Sequence, residues 1–204
     1  MIINVFLWVM VGLILLTSAA ALIQRDWRVS LGALAIQYVA AFWLATRHLP
    51  FAMGSVKLIV GWMAVATLGM TRMGLAPLEV EEKEESFFPR GQWFRGILIG
   101  VAALVAAGST ARVEAAIPGL GLQVIAGSLL LIGMGVAHLG VASDLLRVVI
   151  GLLTILTGFE IIYAAVESSI LVAGALAVIN LGLGLVGSYL LIAGSAAPEI
   201  EAEV

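Results

Sequence analysis

Few residues in this chain can do acid–base or ion chemistry at depth, and Glu160 stands out among them. It lies within Arg147-Val-Val-Ile-Gly-Leu-Leu-Thr-Ile-Leu-Thr-Gly-Phe-Glu160-Ile-Ile-Tyr-Ala-Ala-Val-Glu167, a run otherwise almost wholly apolar. With Arg147 taken as the boundary of a membrane span, Glu160 falls about 20 Å along a helix rising 1.5 Å per residue, past the midplane but still in hydrocarbon. A carboxylate there costs about 2.5–3.5 kcal/mol on insertion scales unless a cation or hydrogen-bond donor faces it, which makes such a group a functional-site candidate. A carboxyl held between its protonated and ionised forms is what a proton relay requires.

Other polar residues could join it. Thr157, Thr154 and Glu167 fall near the same helical stripe and sketch a polar track toward one surface. For the threonines the competing reading is a bond back to their own helix, and for Glu167 it is an ordinary charge at a helix end. Asn180 sits near the centre of the last apolar run, about 6 Å deeper than Glu160 when both are counted from the turn that joins them. It reads either as a neighbour of Glu160 or as a hydrogen bond between helices. Lys57, seven residues after Pro50, is either a buried cation or a side chain that snorkels outward along its stem. His138 lies near the end of its span beside Ser143 and Asp144, read as an interfacial histidine or as a further relay group. His48 falls on the opposite face, so no histidine pair binds metal.

The elements that must carry these groups follow from composition. The chain has 204 residues, 62% hydrophobic and 11% charged, with mean hydropathy +1.16, which implies an all-α integral membrane protein. About 20 apolar residues span the hydrocarbon layer. Seven such stretches are expected, near 3–23, 29–46, 51–73, 94–109, 119–141, 146–166 and 169–193, the fourth being the shortest. The first has no positive residue before it and exceeds a signal-peptide core in length, so it is read as a retained span. The expected organisation is an N-terminal three-helix unit over 1–75, an acidic cytoplasmic linker over 76–93, a C-terminal four-helix unit over 94–194 and an acidic tail over 195–204. Phe87, Phe88, Trp93 and Phe94 are expected at the membrane interface, where aromatic rings are favoured.

Composition also excludes several chemistries. With no cysteine, the chain forms no disulfide, thiolate metal site, iron–sulfur cluster or cysteine nucleophile. The net charge of −3 is small and gives no sign of nucleic-acid binding. There is no phosphate-cradling glycine motif and no nucleophile–base arrangement. No cofactor, metal or autonomous enzyme activity is expected, and the lipid bilayer is the first partner.

Seven spans put Arg25, Arg28, Arg72, Lys83, Arg90, Arg95 and Arg147 on one side and Arg47 and Arg112 on the other. The positive-inside rule then places the N-terminus outside and the C-terminus in the cytoplasm of a prokaryotic inner membrane. The halves also echo one another. In both Asp26-Trp-Arg28-Val-Ser-Leu-Gly32 and Asp144-Leu-Leu-Arg147-Val-Val-Ile-Gly151, a charged turn leads into a helix with glycine four residues after arginine. Duplicated helical units are common in transport proteins.

Leu145 to Gly194 resembles the last two helices of the three-span subunit K of respiratory complex I and of its small relatives in multi-subunit cation/proton antiporters. Thr157-Gly-Phe-Glu160-Ile-Ile-Tyr-Ala-Ala carries the likeness, with 119–141 supplying the first helix of a three-helix unit. More faintly, the whole chain is similar to component E of hydrogenase-4-type complexes, through the opening helix and Val56-Lys57-Leu-Ile-Val. The resemblance implies a non-catalytic member of a proton-translocating oxidoreductase or antiporter complex, with other integral membrane subunits as partners. It maps the family's intramembrane glutamate onto Glu160 and its membrane lysine onto Lys57. The second buried glutamate of subunit K corresponds to Asn180 here, an amide that cannot take up or release a proton near neutral pH. A two-carboxylate relay is therefore not implied, and a scaffold or a free-standing small transporter are the alternatives.

Overall fold

Because lipid offers no hydrogen-bond partner to a bare backbone, an apolar chain of this composition must satisfy its amides within helices. The computed structural model describes residues 2–24, 26–75, 91–167 and 169–201. Those residues form seven helices and no strand: α1 (Ile2–Ile23), α2 (Trp27–Ala45), α3 (Phe51–Gly74), α4 (Gln92–Ala116), α5 (Leu122–Val141), α6 (Leu145–Val166) and α7 (Ile170–Glu201). All seven are long and apolar enough to cross a membrane, so the chain is an all-α membrane protein.

Two elements outrun their apolar stretches. Although α4 continues through Arg112 and Glu114 to Ala116, the apolar run expected over 94–109 stops short of both charges. Likewise α7 carries on to Glu201, so most of the segment read as an acidic tail is helical. The linker lies outside the described residues from 76 to 90, as do Phe87 and Phe88, Arg25, Lys83 and Arg90. Trp93, largely exposed at the start of α4, is placed as an interfacial aromatic would be.

The helices form two rows. α1, α2 and α3 lie side by side, as do α5, α6 and α7, and the rows meet helix for helix: α1 on α5, α2 on α6, α3 on α7. α4 stacks on α5 beside α1. The sequence echo has a structural counterpart, since Asp26 and Asp144 cap the second helix of their rows. Each carboxylate accepts a backbone N–H, from Arg28 and Arg147 respectively, at 2.9 Å.

Small residues set the approach of the helices, as expected where no hydrophobic force drives apolar segments together in lipid. A side chain at Gly158 would sit 2.8 Å from the Ser128 carbonyl oxygen on α5. One at Gly61 would run into the ring of Tyr38, so α3 lies directly on that ring. One apolar cluster joins α1, α2, α4 and α5, including Ile14, Leu44 and Leu131. A second joins α2, α3 and α6, including Leu34, Leu68 and Leu153.

Candidate functional site

The two rows bring charged and polar groups from α2, α3 and α6 to one level of the membrane, with Asn180 of α7 about 6 Å deeper. Glu160 lies six residues before the end of α6, Lys57 six residues after the start of α3, and Tyr38 seven residues before the end of α2. Those offsets put all three about 9–10.5 Å inside the same face of the bundle. Lys57 Nζ approaches Glu160 Oε2 to 3.2 Å, with side chains 11% and 5% exposed. The lysine is thus a buried cation facing the carboxylate, not a side chain that snorkels outward.

Tyr38 is the group that sequence reasoning missed. Its phenol donates to Asn180 Oδ1 at 2.9 Å, both residues being buried, and the hydroxyl of Thr157 adjoins it. Asn180 is therefore a hydrogen bond between helices, bound to α2 and linked to the Glu160 level through a tyrosine. A tyrosine inside an apolar helix carries its own signal, because a buried hydroxyl away from water needs a partner. Nothing in the spacing identifies that partner as Asn180, 142 positions away.

A cavity of about 20 Å³ opens among these groups, lined by Tyr38, Lys57, Thr157 and Glu160 together with apolar residues including Phe42 and Ile161. That volume is about enough for one water. Thr154 and Thr157 both donate to carbonyls one turn back, at 2.8 and 2.7 Å, which fulfils the back-bonding reading of each. Between the cavity and the nearer end of the bundle lies an apolar cluster of Ala45, Leu49 and Ala164 with Met53 packed against it. Glu167, one turn beyond Ala164, is exposed at the C-cap of α6 and does not line the cavity. The expected stripe therefore does not continue to the surface through Glu167.

His138 belongs to a separate cluster at the other end. It is 4% exposed near the end of α5, within electrostatic reach of Arg147, Arg95 and Asp144. Arg147 Nη2 donates to the Gln24 carbonyl at 2.8 Å, and its Nε lies 3.2 Å from Asp144. Arg95 Nη1 donates to the Leu22 carbonyl at 2.8 Å. Two buried guanidinium groups, from α4 and α6, thereby satisfy carbonyls at the C-terminal end of α1, where the helix dipole favours positive charge.

No family model matches the chain, and no characterised protein or solved structure matches it either. Among the described residues no group of three or more histidine or acidic side chains could hold a metal ion. The arrangement suits proton exchange at a single carboxyl whose charge is balanced by a lysine reaching across from a helix of the opposite row.

Proposed function

We propose that the chain is a membrane subunit of a complex I-like, membrane hydrogenase-like or cation/proton antiporter-like assembly, in which Glu160 is the protonatable group of an intramembrane translocation or coupling element. The observation that carries this reading is the Lys57–Glu160 pair, 3.2 Å apart, buried, and joining the two rows of helices. Desolvating two charges costs several kcal/mol per ion, and hydrophobic residues of similar volume are often as stable or more so. Stability is thus a weak reason for the pair, whereas a titratable carboxyl held beside a cation is an arrangement that charge exchange within the membrane can use. The sequence likeness to subunit K and to hydrogenase-4 component E supports the same assignment, with Glu160 and Lys57 in the matching roles.

A second reading has its own support. On the resemblance Asn180 corresponds to a carboxylate of subunit K, and its amide oxygen is engaged by Tyr38. That favours a scaffold subunit that retains the helical unit without translocation. Extraction in mild detergent separates the assembly readings from a free-standing transporter: the chain is expected in a larger complex with other membrane subunits. A monodisperse particle of this chain alone that still moves ions would overturn subunit membership.

The orientation is part of the same proposal. Arg28, Arg72, Arg95 and Arg147 lie at one face of the bundle and Arg47 and Arg112 at the other, so the first face is assigned to the cytoplasm of a prokaryotic inner membrane. Because the chain has no native cysteine, single cysteines report cleanly. Cysteine at Ser86 or Ser195 is expected to resist membrane-impermeant thiol reagents in intact cells, and cysteine at Ser169 to react. The reverse pattern would invert the topology.

A further inference from the structure

The ion pair leaves hydrogen-bonding capacity unused at its core. Glu160 Oε1 and Lys57 Nζ are both buried and make no hydrogen bond to any described residue, the lysine meeting Oε2 as an ion contact at 3.2 Å. Both side chains line the same cavity, of about 20 Å³, with Tyr38 and Thr157. A buried polar atom without a partner is costly, and more so in a protein surrounded by lipid. A water site needs room for one molecule and two to four polar partners, and this cavity supplies both.

We infer that the cavity is a binding site for a single water, and that Tyr38 is the residue that positions that water against Glu160. The donor and acceptor roles close. The phenol O–H is committed to Asn180 Oδ1, which turns the lone pairs of the phenol oxygen toward other donors. The water donates one hydrogen to Glu160 Oε1 and the other to Tyr38, and accepts from Lys57 Nζ. Asn180 fixes the direction of the phenol, and Gly61 lets α3 press on its ring. On the outer side of the site, Ala45, Leu49 and Ala164 offer no polar group. The water is therefore placed to pass a proton between Lys57 Nζ and Glu160 Oε1, the ammonium losing the proton that the carboxylate gains.

This inference rests on the reading of Glu160 as a working protonatable group, and its test separates the two. The native assembly carrying the full chain is compared in three forms: unaltered, Glu160→Gln and Tyr38→Phe. The carboxyl C=O stretching band that appears on acidification is assigned to Glu160 by its loss in Glu160→Gln. In Tyr38→Phe, which keeps the ring on Gly61, that band is expected at higher wavenumber because the carboxyl loses its positioned water. Proton translocation is expected to fall at least tenfold with the chain still inserted and assembled. An unshifted band in Tyr38→Phe overturns the water site. If Glu160→Gln translocates normally, the functional reading falls, while the band shift still decides the site. Should Tyr38→Phe fail to insert, an experimental density map of the unaltered protein decides: a peak in this cavity supports the proposal and featureless density overturns it.

Discussion

The two buried charged sites of this bundle have similar ingredients and opposite logic. At one end Arg95 and Arg147 donate to backbone carbonyls of α1 and the turn after it. At the other, Lys57 faces a carboxylate on a different helix. A carbonyl cannot change its charge, so these arginine contacts tie helices together, and the carboxylate beside Arg147 is Asp144 at the N-cap of its own helix, 3.2 Å away. A carboxylate can change its charge, so under the proposed function the Lys57–Glu160 contact switches between an ion pair and a lysine beside a neutral acid. The choice of cation fits: a guanidinium is always charged and presents several donors in a fixed fork, while an ammonium is a compact charge on a flexible stem. On the proposed reading, the contrast separates a helix tie from a proton site.

The comparison breaks most easily at the ion pair. Removing one partner of a buried pair costs about 3–5 kcal/mol because the other is left uncompensated. Lys57→Met and Glu160→Gln are each expected to destabilise the bundle within that range at most, and the double variant by less than the sum. Reversible unfolding in mixed micelles measures the cycle, and simple additivity would show that the two groups do not interact.

Arg147→Ala should cost about 1.5–3 kcal/mol, the range for a hydrogen bond to a charged group, with no rescue from any change at Glu160. The two ends lie about 20 Å apart along α6, so variants at Arg147 and Glu160 should add within about 0.5 kcal/mol. Coupling above that would mean one connected network instead of two sites. The smallest effect is expected from Glu167→Gln, at an exposed helix end, where stability should change by less than about 0.5 kcal/mol. A larger loss there would restore Glu167 to the site.

Much of the architecture is legible in the chain because membrane spans need long apolar runs, and the seven runs correspond to the seven helices. The ends of α4 and α7 are not, since hydropathy marks where lipid ends while a helix continues wherever its backbone can still bond to itself. Glu160 is legible as a carboxyl in an apolar stretch. Its pairing with Lys57 is only half so: both count to the same depth from their helix ends, but nothing local says that side chains of α3 and α6, diagonal to each other across the rows, reach one another there. Tyr38 is not legible because an isolated tyrosine reads equally as core or interface, and its hydrogen bond depends on Asn180 arriving from α7. The arginine ties to α1 depend likewise on how the rows pack, which spacing does not encode.

The central claim is that Glu160 changes protonation as part of ion movement, and Glu160→Gln tests it most directly because it keeps the shape and removes the titration. Proton translocation is to be measured in the intact assembly carrying this variant, with incorporation of the chain verified in the same preparation. The account predicts normal assembly and translocation reduced at least tenfold. Unimpaired translocation in a fully assembled Glu160→Gln complex would contradict it and leave the ion pair as a structural contact of a scaffold protein.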